Sequence, residues 1–188
     1  MWLRQQSFLR KGHVMSKLAF IFPGQGAQKA GMGKDFYENS EAARSFFDQA
    51  QKILDFDLKE MCFGEHEELN LTEYTQPCMV SVCLAIVQEL KKRGINPDIT
   101  AGLSLGEYAA VAAADGMNEL DAIKLVRRRG ILMQSTVPAG EGAMAAVLGL
   151  DAKKIEEILE SFENVWIANY NCPGQIVITG LTNEVQQA

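Results

Sequence analysis

The sequence predicts an α/β chain: a parallel-sheet, hydrolase-like core with a GxSxG nucleophile elbow, followed by an incomplete ferredoxin-like subdomain. Three observations lead there. A short apolar run at residues 17–22 and a second short strand at 97–102 are separated by stretches of helical spacing, the alternation that yields parallel strands joined by helices. Gly102-Leu-Ser-Leu-Gly106 stands where the second run gives way to helical spacing, the setting in which a nucleophile elbow works. Past Pro138 and Gly140 the order becomes β-α-β-β-α, a split ferredoxin-like unit without its last strand.

The elements follow in order. Residues 1–14 are polar, basic and aperiodic, so they are expected to be a leader outside the fold, with Met15 as the start. The run 17–22 is continuously apolar and closed by Pro23-Gly24, which predicts a strand buried on both faces. A loop rich in glycine (Gly24, Gly26, Gly31, Gly33) comes next. Helical spacing covers residues 41–54 and 75–93, the latter with Thr75 as N-cap, Pro77 in the first turn and Gly94 as the stop. After the strand at 97–102, helices are expected at 105–114 and 118–134. In the second part, strands at 143–149, 165–170 and 175–180 flank a helix at 151–162 capped by Asp151, and a further helix begins at 181–188. Asn171-Cys-Pro-Gly174 marks a turn between the last two strands. The expected organisation is a leader over 1–14, a large α/β subdomain over 15–138 lacking its C-terminal part, and a truncated ferredoxin-like subdomain over 139–188.

Composition narrows the function. Of 188 residues, 47% are hydrophobic and 22% charged, so a real core is expected. The formal charge of -6 provides no basic field for nucleic acid or anionic lipid. The longest apolar stretch, 79–87, falls short of the ~18 residues that span a bilayer. Cys62, Cys78, Cys83 and Cys172 form no CxxC pair and only His13 and His66 are available to join them, so no metal site or disulfide framework is expected and a reducing cytoplasm fits.

The chemistry gathers around Ser104. A turn this sharp presses its neighbours against backbone, so the positions two before and two after the serine tolerate almost no side chain. Ser104 then projects at a helix start, where unpaired N–H groups and the positive dipole end favour an oxyanion. Pro23-Gly24-Gln25-Gly26-Ala27-Gln28 fails as a dinucleotide fingerprint, because Lys29 holds the third glycine position and no acidic strand end follows. Such a loop serves either as a tight turn or as the source of a backbone N–H, such as that of Gln25, for the oxyanion. In Arg127-Arg128-Arg129, with Ile123 at zero on a helical wheel, Arg129 falls at about 240°, inside the arc of Leu125, Leu132, Ala122, Met133 and Val126. Arg127 and Arg128, at about 40° and 140°, point away. An arginine on a buried stripe needs a bidentate carboxylate, from the protein or from a substrate.

Phe22-Pro-Gly-Gln-Gly-Ala-Gln28, Thr75-Gln-Pro77, Gly102-Leu-Ser-Leu-Gly-Glu-Tyr108, Arg129-Gly130 with Met133-Gln134, Gly142-Ala-Met-Ala145 and Asn169-Tyr-Asn-Cys-Pro-Gly-Gln175 together closely resemble malonyl-CoA:acyl carrier protein transacylases, from Met15 to the end. The resemblance implies that Ser104 takes malonyl from malonyl-CoA as an ester and passes it to the phosphopantetheine thiol of acyl carrier protein in fatty acid biosynthesis, with ping-pong kinetics. It implies that backbone N–H groups of Gln25 and Leu105 form the oxyanion hole and that Arg129 pairs with the free malonyl carboxylate. Acetyl would leave that guanidinium desolvated and unpaired. No cofactor is implied, the partners are malonyl-CoA and acyl carrier protein, and a monomer is expected.

Two departures from the family pattern stand out. Many members have His where this chain has Leu103, which implies altered packing of the elbow rather than loss of function. The family's base is a histidine downstream of the ferredoxin-like subdomain, past the last residue here. His66 lies in the acidic stretch 64–68 and His13 in the leader, so the fragment alone is expected to be orders of magnitude slower than the complete protein. Competing readings are a polyketide-synthase-type acyltransferase, a GxSxG serine hydrolase, and an inactive piece that only binds carrier protein. Lys91-Lys92-Arg93 is a candidate basic patch for an acidic carrier.

Overall fold

A computed structural model describes residues 17–137 and 140–188; the leader expected over 1–14, and Pro138, lie outside them. The chain divides into two compact units, one ending at Arg127 and the other starting at Arg128. The sequence places its boundary at 138, whereas this division falls inside a helix.

In the first unit, β1 (Ala19–Phe22) pairs in parallel with β2 (Ile99–Gly102), Ala19 opposite Ile99 and Phe22 opposite Gly102. Between them run α1 (Lys34–Asn39), α2 (Glu41–Gln51), α3 (Leu58–Phe63), a 3-10 turn at Glu67–Asn70 and the long α4 (Thr72–Lys92). After β2 come α5 (Leu105–Ala113) and the start of α6 (Glu119–Thr136). Helix α2 buries Ala43, Phe46, Phe47 and Ala50, the i, i+3, i+4, i+7 stripe of an amphipathic helix. Its N-cap, Ser40, accepts from Ala43 N at 3.0 Å and donates to Glu89 Oε2 of α4 at 2.5 Å. Alanines 109, 110, 112 and 113 on α5 are all buried, and side chains this small let the helix lie close against β1 and β2.

The strand expected to be buried on both faces has one open face. Phe20 and Phe22 point inward, but Ile21 is 79% exposed and Ile99, on the same face of its neighbour, 60%. Apolar composition reports the capacity of a strand for burial and not whether a second layer is there to use it.

Helix α4 also departs from expectation. It begins at Thr72 rather than Thr75, with Leu71 at the N-cap position, so Pro77 sits in the helix interior. Thr75 is fully buried in the first turn and its hydroxyl donates to the carbonyls of Leu69, at 2.6 Å, and Leu71, at 3.0 Å. The six-residue helices α1 and α3 were not anticipated, because they are too short to display a hydrophobic period.

In the second unit, β3 (Gly142–Leu148), β4 (Val165–Cys172) and β5 (Gln175–Leu181) form an antiparallel sheet in the order β3-β5-β4. Helices α7 (Ala152–Leu159) and α8 (Thr182–Gln187) complete it, and its core is Ile155, Val165, Ile176, Ile178 and Val185. Asp151 caps α7 by accepting from Lys153 N at 3.0 Å. Among the described residues no helix is long and apolar enough to cross a membrane.

Candidate functional site

Ser104 is the second of the two residues, Leu103 and Ser104, that join β2 to α5. Its φ of 48° and ψ of -100° lie in the left-handed half of the map, a conformation that costs a non-glycine residue roughly 1–3 kcal/mol and persists only where its surroundings impose it. They do impose it. A Cβ on Gly102 would lie 2.1 Å from the Gly106 carbonyl carbon, and a Cβ on Gly106 would lie 2.4 Å from the Phe22 carbonyl oxygen. The elbow is therefore backbone pressed on backbone, tied down by Leu103 N donating to Phe22 O at 3.1 Å and Gly106 N donating to Leu103 O at 2.9 Å. Ser104 is exposed and Leu105 is 1% exposed, so the serine stands at the surface while the first helical residue anchors in the core.

The glycine-rich loop meets this elbow directly. A Cβ on Gly24 would be 2.9 Å from the Leu103 carbonyl oxygen and 3.3 Å from its Cγ, so the residue before Gln25 packs on the residue before Ser104. Leu103, half exposed, lies over Gly24. Leu105 opens α5, putting its peptide N–H at the positive end of that helix. Ser104, Leu105 and the loop carrying Gln25 are thus brought together within the first unit. Arg129 belongs to the second unit, two residues past the division, where it is half-buried.

Two residues near the site escaped the sequence reading. The Gln25 side chain donates from Nε2 to Thr72 Oγ1 at 3.0 Å and its Oε1 accepts from Gln76 Nε2 at 3.5 Å. Gln28 accepts from Gly26 N at 2.7 Å and donates to Asn70 Oδ1 at 3.2 Å. Asn70 ends the 3-10 turn and Thr72 opens α4, and once Thr75 is taken as the cap no local signal separates them from ordinary loop residues.

The arginine run is reordered. Arg127, expected to point away, has a side chain only 13% exposed; Nε and Nη2 bond Asp55 at 2.9 Å each, Nη1 bonds the Glu73 carbonyl at 2.8 Å, and the guanidinium lies over Phe56 and Tyr74. Those hydrogen bonds hold the Asp55 carboxyl below its ordinary range. The expected arc takes in Leu125, Leu132 and Met133, which are 47%, 49% and 46% exposed, and leaves out Ile123; the buried stripe is Ala122, Ile123 and Val126, and Arg127 borders it. The basic run at 91–93 is neutralised locally, Lys91 by Asp115 at 2.9 Å, Lys92 by Glu41 at 3.0 Å and Arg93 by Glu89. His66 Nε2 lies 3.0 Å from Glu60 Oε1.

Two of the cysteine thiols are held protonated. Burial pushes the Cys83 thiol up to about 11, and a hydrogen bond with Cys62 together with burial raises Cys78, so these sulfurs stay protonated at neutral pH.

Residues 19–188 match the family model described as acyl transferase domain. A malonyl CoA-acyl carrier protein transacylase of Bacillus subtilis is 48% identical over 179 residues, which cover 93% of this chain and 56% of that protein. The crystal structure of a malonyl CoA-acyl carrier protein transacylase from Clostridium perfringens superposes with a TM-score of 0.83 at 43% identity, covering 92% of this chain and 56% of the other. A structure of a type II PKS acyl-carrier protein in complex with its malonyl-transacylase gives 0.83 at 38% identity, covering 92% and 57%. The chain spans about half the length of these relatives.

Proposed function

This chain belongs to the acyl transferase domain family, and on that footing we propose that Ser104 is the nucleophile of a malonyltransferase that moves malonyl from malonyl-CoA to the phosphopantetheine thiol of acyl carrier protein in fatty acid biosynthesis. The observation that carries the reading is the elbow: an exposed serine held at φ 48° with the Gln25 loop packed against it through Gly24 and Leu103.

Ser104 Oγ attacks the thioester carbonyl, its proton passes to a base, and the carbonyl oxygen becomes an oxyanion that accepts from the peptide N–H groups of Gln25 and Leu105. Collapse breaks the carbon–sulfur bond, coenzyme A leaves as its thiol with that proton, and malonyl remains as a serine ester. The carrier's thiol then attacks the ester carbonyl and Ser104 recovers its hydrogen. Arg129 pairs with the distal malonyl carboxylate, which makes the site selective for a diacid half-thioester. The base is a histidine, as in the family the sequence resembles, and His66, 3.0 Å from Glu60 Oε1, is not given that role. The GxSxG segment is the nucleophile elbow of a large subdomain over 15–138, and residues 139–188 are ferredoxin-like, in keeping with β3-α7-β4-β5-α8. The protein acts as a cytoplasmic monomer and without a cofactor.

The test is to incubate the full-length protein with malonyl-CoA, quench with acid and map the added malonyl by peptide mass spectrometry, then add holo carrier protein. Label on Ser104 that moves to the carrier is expected. Label on another side chain overturns the assignment, and release of free malonate faster than transfer to the carrier favours a serine hydrolase.

A further inference from the structure

The loop that carries Gln25 has little packing to hold it. Gln25, Gly26 and Ala27 are exposed, Gly26 has a φ of 109°, and a Cβ on it would meet nothing within 4 Å. An oxyanion donor is useful only if it is already aimed when charge develops, to within about 0.5 Å. Something other than apolar contact must therefore fix the direction of the Gln25 peptide.

We propose that Thr72 and Asn70, at the start of α4, are positioning residues for the oxyanion donor: they clip the glycine-rich loop to the helix through the side chains of Gln25 and Gln28. The inference rests on the reading of Gln25 given above and assigns Thr72 and Asn70 a role exerted through the side chains of Gln25 and Gln28.

The clip has two arms. In the first, Thr72 Oγ1 accepts from Gln25 Nε2 at 3.0 Å, while Gln76, fully buried one turn further along α4, donates to Gln25 Oε1. In the second, the Gly26 N–H, part of the peptide immediately after Gln25, is bound by Gln28 Oε1, and Gln28 Nε2 donates to Asn70 Oδ1. On the opposite side, Gly24 is wedged against Leu103. The peptide joining Gly24 to Gln25 is thus held between the elbow and the helix, and its N–H cannot swing without breaking one of these contacts. The base of the loop is closed by Gly31 N donating to Cys62 O at 2.9 Å. Helix α4 is in turn secured in its first turn by Arg127 on Glu73, the residue next to Thr72.

The experiment uses the full-length protein and measures the rate of Ser104 malonylation, the KM for malonyl-CoA and the amide exchange of residues 24–28 in Thr72→Val, Thr72→Ser, Gln25→Ala and the Thr72→Val/Gln25→Ala double variant. Gln25→Ala keeps the peptide N–H and removes only its anchor. Loosening a donor, rather than deleting it, is expected to slow acylation about tenfold in each single variant, with KM within about twofold. The double variant should be no slower than Gln25→Ala alone, since that variant already removes the bond that Thr72→Val breaks. Thr72→Ser should restore the rate, and exchange at 24–28 should rise in the slow variants alone. Multiplying losses in the double variant, or unchanged exchange, overturns the clip. If Thr72→Val fails to fold, Gln25→Ala with its exchange readout decides alone. A wild-type protein that leaves Ser104 unlabelled defeats the transferase reading, while loop exchange still reports on the clip.

Discussion

Arg127 supplies the hydrogen bond that Pro77 cannot. Pro77 lies inside α4 and has no N–H, so the Glu73 carbonyl four residues earlier receives nothing from that helical position. Arg127 Nη1 donates to that carbonyl at 2.8 Å and reaches the Glu73 carboxylate at 3.2 Å, while the rest of its fork grips Asp55. A proline that would otherwise weaken the helix is made tolerable by a side chain fifty residues further along the chain.

Replacing Arg127 by Ala is expected to destabilise the protein by about 2–3 kcal/mol, because it leaves a part-buried carboxylate and a carbonyl without their donor. With Pro77 changed to Ala, the helix provides its own donor, and the same arginine substitution should cost about 1 kcal/mol less. Urea unfolding of the four proteins in the cycle checks this; equal costs in both backgrounds would break the link.

The elbow glycines admit no side chain. Gly102→Ala and Gly106→Ala each drive a Cβ into backbone, at 2.1 and 2.4 Å respectively, where no rotamer relieves the clash. Each is expected to cost more than about 3 kcal/mol. Ser104→Gly, by contrast, relieves a positive φ and should stabilise by about 1 kcal/mol while abolishing acylation. Thermal unfolding of the three variants separates clash from strain.

On the proposed pairing of Arg129 with the malonyl carboxylate, Arg129→Ala should depress malonyl transfer at least tenfold more than acetyl transfer, since acetyl has no carboxylate to lose a partner. Competition between malonyl-CoA and acetyl-CoA for the full-length protein, read by mass of the acylated serine, checks it. Equal losses would remove the assignment.

Glu89 gives a pH signature. The Ser40 hydroxyl, and then Arg93, favour its ionised form, so its carboxyl titrates below the usual range. A carboxyl lowered on folding contributes stability that is present above its unfolded value, about 4.3, and lost as pH falls through the folded one. Wild type should therefore be more stable than Glu89→Gln by a constant margin from pH 7 to about 5, with the margin narrowing below about 4.3. Melting temperatures across that range measure it.

Much of the fold was legible because its signals are local. Pro23-Gly24 ends β1, Asp151 caps α7, Gly94 follows α4, and the GxSxG glycines announce the bend they permit. What stayed hidden depends on partners distant in sequence. The inward position of Arg127 escapes the sequence reading because Asp55, Phe56, Glu73 and Tyr74, which draw it inward, are 53 or more residues away. Thr72 and Asn70 were overlooked for the same reason: their partners Gln25 and Gln28 lie 47 and 42 residues off. The wheel also counted Leu125 as core, and hydrophobicity alone cannot tell which apolar side chain a neighbour will cover.

Ile21 and Ile99 leave a greasy plane on a pair of strands whose outer rims have no further strand hydrogen-bonded to them among the described residues. Handled by itself in a tube, this polypeptide should bind fluorescent hydrophobic dyes and self-associate as its concentration rises, and a lysine in place of Ile21 should keep it in solution.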